Sequence, residues 1–391
     1  MTYQPLGYRV DDTEQGNRVR RLLAKIRALG VQVLIMDFRG RMITGRSSDI
    51  DAVVPNELRP EEEYHIRAFV SYARSLGFEV AFRPILLVVG PHWEFPYVEG
   101  NKYWWHGNIE PSDIESWFQN YYAFHDRYVK LAADLHPKWY SLGSEMHSMT
   151  VGLGSRYRSW RFGFPAKWVQ MIQQVRTILP RSTQLTYGIN YTDQYVLENQ
   201  QQTWGGEFEQ WRHDITFAPQ TSDEVRHQND MRDLWRNLDF LGVDYYRALG
   251  SNKPTYPSDF ATLADMLTTT TRKYAIDVRE SRNQMSQATG AGREIAIQEV
   301  GYRSVDKCFV FPYHYEGGNE PINYIHQGAA WEALLRAVTD VPYYGVGIWQ
   351  VLLDEDSDLK ENPGFSPLGK EPLTSVLQKY FLNQQPTKSQ H

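Results

Sequence analysis

The chain is predicted to fold as a single (β/α)8 barrel, an α/β architecture in which eight parallel strands alternate with helices. Two observations point there. Short apolar strand signals and amphipathic helix signals alternate from one end to the other, which favours parallel βα units over a segregated plan. Two of those strands also end in glutamate, Glu145 after Lys138-Trp-Tyr-Ser-Leu-Gly-Ser144 and Glu299 after Glu294-Ile-Ala-Ile-Gln298. In a parallel barrel both carboxyls emerge at the C-terminal mouth, where barrel enzymes keep their chemistry.

A weak first strand is expected at Leu6-Gly7-Tyr8, followed by a helix with Val19, Leu22, Leu23, Ile26 and Leu29 on one face, closed by Gly30. Val31 to Phe38 reads as the second strand. Pro60 opens a helix carrying Ile66, Phe69, Val70, Ala73 and Leu76 and ended by Gly77. Phe78 to Val89 is the third strand, and Ser112-Asp-Ile-Glu115 reads as a capping box for a long helix with Trp117, Phe118, Tyr121 and Tyr128. The strand bearing Glu145 is the fourth. Trp168, Ile172, Val175 and Leu179 mark its helix, Gln184 to Asn190 the fifth strand, and Leu238 to Tyr246 the sixth. Helical periodicity around Leu234 and from Leu263 to Val278 flanks that sixth strand. Glu294 to Val300 is the seventh, with a helix over Tyr324 to Val338. Tyr344 to Leu353 is the eighth, with a last helix over Leu373 to Phe381. The barrel thus occupies residues 1–383, and 384–391 reads as a disordered tail.

Two connections exceed the short loops usual between such elements. One, from Gly90 to Pro111 after strand three, is rich in Trp, Tyr and His. The other, about 191–232 after strand five, holds Trp204, Trp211 and Gly205-Gly206. Both leave C-terminal strand ends and so are expected to crown the mouth, the second as a cleft wall with its tryptophans as stacking faces.

The formal charge of −6 argues against a nucleic-acid or anionic-membrane partner. One cysteine, Cys308, leaves neither an internal disulfide nor a thiolate cluster. No run approaches 18 apolar residues, so no membrane span is expected. The histidines lack the spacing of a hydrolytic zinc site and no Gly-rich phosphate loop follows a strand, so no metal and no cofactor is expected. The first twenty residues are polar and charged and show no signal-peptide pattern. The sequence as it stands reads as cytoplasmic, and export would require a leader already removed. Nothing in the pattern fixes an oligomeric state.

A buried carboxylate is costly unless it is paired or protonated, and two glutamates facing one another across a cleft are what glycosidic bond cleavage requires. The ordered motifs extend that reading. They are His92-Trp-Glu94, Trp105-His-Gly107-Asn-Ile109-Glu-Pro111, Leu185-Thr-Tyr-Gly-Ile-Asn190, Asp239-Phe-Leu-Gly-Val-Asp244-Tyr-Tyr246, Ile295-Ala-Ile-Gln-Glu299-Val-Gly-Tyr-Arg-Ser304, Gly347-Ile-Trp349 and Phe365-Ser-Pro-Leu-Gly-Lys370. With these, the chain resembles glycoside hydrolase family 113, whose known members are endo-β-1,4-mannanases, within the clan of retaining barrel glycosidases.

The resemblance implies Glu145 as acid/base and Glu299 as nucleophile, acting on a polysaccharide or oligosaccharide. Glu299 would form a glycosyl-enzyme ester, while Glu145 would protonate the leaving oxygen and then deprotonate water. Tyr246 is placed to orient Glu299, or else packs as a barrel tyrosine. Trp349 resembles the aromatic floor under the sugar, with core burial as the alternative. Asn190 and His92 match cleft-lining positions, or brace loops. Trp105, with Trp104, offers a stacking wall or plugs the loop. Arg39 would steady Glu299 or bind an acidic sugar, or form a structural ion pair. His147 and Asp354 fall near the mouth by sequence and carry no role.

The chain departs from the family at four points: Ser144 stands where the clan has an Asn that bonds the sugar 2-hydroxyl, His106 replaces an Arg, Tyr191 replaces a Trp, and the segment after strand five is much longer. Three functions are therefore carried forward: a β-1,4-mannan-like substrate, the same mechanism on a bacterial exopolysaccharide or cell-wall glycan, and a catalytically silent glycan-binding barrel.

Overall fold

The computed structural model describes residues 7–95, 97–152, 162–193, 195–198, 201–204, 206–314, 320–353 and 361–382, with 195–198 and 201–204 described by their backbone. The expected tail at 384–391, Leu6, Gly205 and Asp354 lie outside the described residues, as does the side chain of Trp204.

Helix α1 (Glu14–Ala28) is N-capped by Thr13, whose hydroxyl accepts the Gly16 amide. Strand β1 (Val33–Met42) follows and turns back through a short antiparallel β2 (Asp51–Ala52). Helix α2 (Arg59–Ser75) has a proline in its first turn, and β3 (Glu79–Val88) pairs in parallel with β1. The loop after β3 carries a small hairpin, β4 (Tyr97–Glu99) and β5 (Lys102–Trp104). Helix α3 (Ile114–Leu135) is capped by Asp113, which accepts the Ser116 amide and hydroxyl. The expected box is thus set one residue later, because the Asp carboxylate can accept both donors at once.

Strand β6 (Trp139–Ser144) ends beside a single-turn helix, α4 (His147–Thr150), and α5 (Pro165–Arg176) returns to β7 (Gln184–Thr192). The long segment beyond β7 is largely regular: a hairpin, β8 (Tyr195–Glu198) with β9 (Gln201–Trp204), then α6 (Gly206–Thr216) and α7 (Ser222–Asn237). Strand β10 (Phe240–Tyr246), the long α8 (Phe260–Thr289), β11 (Glu294–Val300), α9 (Tyr324–Asp340), a short β12 (Val346–Ile348) and α10 (Leu373–Phe381) complete the chain.

The main sheet runs β12-β11-β10-β7-β6-β3-β1-β2, every pairing but the last parallel. It curls into the (β/α)8 barrel with helices outside. Among the described residues the seam between β1 and β12 is not bridged by a strand. Gly7 and Tyr8 form a turn and not the expected first strand. Tyr8 reaches β1 with its side chain, the hydroxyl donating to the Asp37 carbonyl at 2.8 Å and the ring lying edge-on to Phe69. The eighth strand is likewise shorter than its apolar run.

Two packing layers place the site. Outside the strands, Trp117, Tyr121, Trp168 and Tyr187 form one aromatic cluster behind β6 and β7, each less than 2 % exposed. Such rings contribute burial together with edge-to-face preference. Inside, glycine makes room for one long polar side chain: a Cβ at Gly242 would sit 2.1 Å from the Gln298 Oε1 atom. Gln298 therefore spans the barrel interior below the mouth.

Candidate active site

Both glutamates follow directly on a distortion of their own strand. Between Ser141 and Ser144, β6 uses three steps where β7 uses two, and β11 carries one residue more than β10 between Ile297 and Glu299. Bulges beside a site re-aim side chains. Glu145 also has φ +52°, which L residues seldom adopt, so its carboxyl is turned by the backbone. The backbone on either side is fixed from behind: Tyr121 Oη donates to the Leu142 carbonyl at 2.9 Å, the Glu145 amide bonds the Gly188 carbonyl at 2.8 Å, and the Met146 amide donates to Tyr187 Oη at 3.0 Å.

Glu299 is held from two sides. Arg83 Nη1 donates to its Oε2 at 2.7 Å and Tyr246 Oη donates to its Oε1 at 2.6 Å. Arg83 in turn is locked by Asp37, its register neighbour on β1, through Nε to Oδ1 at 2.8 Å and Nη2 to Oδ2 at 3.1 Å. Burial works against the Arg83 charge, but Asp37 and Glu299 outweigh it and hold the guanidinium cationic. Its carbon lies 5.2 Å from the Trp349 ring centre. Trp349 follows β12 and its amide bonds the Val300 carbonyl at 2.8 Å, which places the indole beside the Arg83–Glu299 pair. Charge-assisted bonds of this kind are about twice as strong as neutral ones.

Glu145 lacks such support. Burial first, then the Glu299 charge, push its acid up to about 8, with Arg83 opposing. His106 Nε2 lies 3.4 Å from Glu145 Oε2. Burial lowers that imidazole to about 4, so it faces the carboxyl in neutral form. Below the pair, Ser144 Oγ donates to Asp244 Oδ2 at 2.5 Å, while Asp244 Oδ1 is buried with no partner among the described residues. Burial and the two glutamates hold Asp244 well above the usual carboxylate range. The arrangement thus offers a carboxyl kept protonated near neutral pH, opposite a carboxyl bracketed by a guanidinium and a phenol. The first can give a proton and the second can bond to an electron-poor carbon.

The other expected residues are placed as follows. Asn190 is buried and its Oδ1 accepts the Glu207 amide at 2.8 Å, so it braces the start of α6. His92 is exposed on the turn after β3, where its amide bonds Glu94 Oε2 at 2.9 Å. Trp105 is half-buried, 5.0 Å from the His106 ring, whereas Trp104 is 1 % exposed and plugs the loop. Arg39 lines the cavity of about 450 Å³ along the open seam, together with Asp37, Arg83, Glu299 and Trp349. That cavity continues to Val33, Trp139 and Phe240 at the far end and does not include Glu145. It follows the barrel seam on the Glu299 side. The guanidinium that steadies Glu299 is Arg83. Trp211, expected as a stacking face, is 0 % exposed and its Nε1 points at Glu207. The segment around it is helical, and its apolar face turns inward.

Sequence reasoning missed Arg83, Asp37, Asp244 and Glu207 as members of this neighbourhood, and named His106 only as a departure from the family. The signal was present for the first two: a charge inside Val80-Ala-Phe-Arg83-Pro and inside Leu34-Ile-Met-Asp37-Phe interrupts an apolar strand and must be paired. Among the described residues no group of three His, Cys, Asp or Glu side chains could hold a metal ion, and no helix is long and apolar enough to cross a membrane.

A barrel with these groups at its C-terminal mouth is the scaffold of a glycoside hydrolase. The model of Glycoside Hydrolase Family 113 matches residues 1–205, just over half of the 391-residue chain, and the chain belongs to that family. No curated protein matches it. Among solved structures it is similar to the family 113 β-mannanase AaManA from Alicyclobacillus acidocaldarius in complex with ManMIm, at 17 % identity and TM-score 0.63 over 97 % of this chain and 94 % of that one. A second is a family 113 β-1,4-mannanase in a complex, at 14 % identity and TM-score 0.61 over 98 % and 96 %. At such identities the likeness is one of fold.

Proposed function

We propose that the chain is a retaining endo-glycosidase that cleaves a β-1,4-mannan-type polysaccharide by double displacement, with Glu299 as nucleophile and Glu145 as acid/base. The observation that carries this reading is the asymmetry of the two carboxyls. Glu299 is bracketed by the Arg83 guanidinium and the Tyr246 hydroxyl, which fix its carboxyl for attack, and Glu145 sits where burial and the Glu299 charge keep its proton. In the first step the Glu299 carboxylate bonds the anomeric carbon as the glycosidic C–O bond breaks, and the Glu145 proton passes to the leaving oxygen. In the second, Glu145 takes a proton from water, whose oxygen replaces Glu299 and releases the sugar. The mannan-type substrate is supported by the family and by the β-mannanases whose fold the chain shares.

A second substrate reading, a bacterial exopolysaccharide or cell-wall glycan, is favoured by the altered loops: His106, in place of the family's Arg, lies 3.4 Å from the Glu145 carboxyl. Ser144, in place of the clan's Asn and engaged with Asp244, favours the silent barrel instead. Reducing-end release from a polysaccharide panel decides between the two, and a folded protein that binds but releases nothing is the silent barrel. Proton NMR of the first-formed product tests the mechanism: an inverted anomer contradicts the role given to Glu299. Glu145→Gln and Glu299→Gln are each expected to lower turnover by at least about a thousandfold with the fold intact.

A further inference from the structure

We infer that Glu207, on the first turn of α6, is a positioning residue for Glu145: through Thr150 it clamps the single turn that follows the acid/base and ties that turn to β7. The inference rests on the reading of Glu145 given above. Glu207 is 0 % exposed. Its Oε1 accepts Thr150 Oγ1 at 2.6 Å and Trp211 Nε1 at 3.3 Å, and its own amide donates to Asn190 Oδ1 at 2.8 Å. Thr150 Oγ1 also lies 3.1 Å from the Met146 carbonyl, one residue beyond Glu145, and the Met146 amide donates to Tyr187 Oη. The strained backbone of Glu145 is therefore held between β7 and a side chain from the segment after it.

The approach of α6 is built for this contact. Gly206 has φ +61°, and a Cβ there would lie 2.2 Å from Asn190 Oδ1. No other residue lets the helix start so close to β7. The match to the family ends at residue 205, so Gly206 and Glu207 lie outside it, while Thr150 and Asn190, which they contact, lie within it.

The second carboxyl oxygen of Glu207, Oε2, is buried and has no partner among the described residues. A lone buried charge there would be costly, and burial indeed lifts the acid to about 8. The groups that face it are Glu145 at the end of β6, Tyr187 on β7, Thr150 on α4, and Trp211 on its own helix. Near neutral pH Glu207 is thus a neutral hydrogen-bonding clamp. When it ionises, it places a negative charge near Glu145 and makes that carboxyl harder to deprotonate.

Glu207→Gln, Glu207→Ala and Thr150→Val in the full chain test this, assayed well below each variant's Tm on β-1,4-mannan or whichever polysaccharide the wild type hydrolyses. The basic limb of the kcat/KM profile is expected to fall by about half a pH unit or more in Glu207→Gln, because the neighbouring charge can no longer form. Glu207→Ala is expected to lose about 10-fold or more in kcat with KM within about threefold. Glu207→Gln should recover most of that loss, and Thr150→Val should resemble Ala. A merely structural Glu207 would instead lower Tm in all three and leave the pH profile and kcat alone, which overturns the inference. Glu145→Gln is the control for the underlying reading: if it keeps wild-type turnover, Glu145 is not the acid/base and that reading fails, whatever the Glu207 variants do.

Discussion

Replacing Glu145 by Gln should make the protein more stable as it abolishes turnover, and the gain should grow with pH. The carboxyl has an ordinary value of 4.5 and is pushed up to about 8 in the folded chain. The sign follows from linkage. Below about pH 4.5 both folded and unfolded forms hold the proton, and this group costs nothing. Above it the unfolded chain releases the proton while the folded chain keeps it, so stability falls as pH rises, until the folded group also ionises near pH 8. Gln has no proton to lose and escapes this cost. Between pH 5 and pH 7.5 the wild type should lose, relative to the variant, about 3–4 kcal/mol in all. The carboxyl is 17 % exposed, and water reaching it lowers the figure to about 2–3 kcal/mol.

Unfolding entropy of ~2.1 cal/mol/K per residue makes the denaturation entropy of a chain this long about 0.8 kcal/mol/K. The Tm gap between Glu145→Gln and wild type should therefore widen by about 3 °C between pH 5 and pH 7.5. Paired thermal melts of the two proteins at five pH values measure it. A gap that stays constant with pH would mean that Glu145 titrates normally in the folded state, and would refute its assignment as a carboxyl kept protonated by burial.

Tyr246→Phe removes only the hydroxyl bonded to Glu299, a charge-assisted bond worth ~1.5–3 kcal/mol, so kcat should drop about 10- to 150-fold with Tm nearly unchanged. Arg83→Lys keeps a charge but cannot bridge Asp37 and Glu299 at once; it should cost at least about 100-fold in kcat/KM, and steady-state kinetics within threefold of wild type would contradict the bracket around Glu299. His92→Ala should change kcat/KM by less than about threefold, since the side chain is exposed on its turn; a tenfold loss would place it over bound substrate. Trp211→Ala should lower Tm by several degrees, the order for deleting a buried tryptophan, with no selective rise in KM.

The parts legible in the sequence were those whose signal is local. The period of apolar residues marked Val19 to Leu29 as a helix, and Gly30 and Gly77, with φ +89° and +82°, end their helices as expected. The strand-end position of Glu145 and Glu299 is also local, a polar residue closing an apolar run. What was not legible depends on residues far apart in the chain. Arg83 meets Glu299 across 216 positions, and no periodicity within either strand announces that contact. The inward turn of Trp211 depends on whether its segment is helix or loop, and the polar residues around it gave no strong period. Leu6-Gly7-Tyr8 read as a strand because aromatic and aliphatic residues favour one, but Tyr8 satisfies its apolar ring and its hydroxyl against β1 through the side chain alone.

Three of the four departures from the family pattern lie around Glu145, while the fourth, Tyr191, packs against Phe208 and Tyr245. Ser144 precedes Glu145, His106 lies 3.4 Å from it, and the segment after β7 carries Glu207 to the turn behind it. The partners that hold Glu299, Arg83 and Tyr246, lie in motifs that follow the family or in strands that pair normally with them. On the proposed mechanism the two carboxyls do different work, so changing their surroundings has different consequences. A nucleophile needs its carboxylate held at one angle to one carbon, which leaves little freedom in the groups that hold it. An acid/base needs a proton affinity matched to the working pH, which burial and neighbouring charge set and which many different side chains can supply. A chain that adapts to another leaving group or another pH can therefore change the acid/base side and leave the nucleophile side untouched. That is the distribution seen here, with a neutral imidazole, a serine and a buried glutamate all gathered at Glu145.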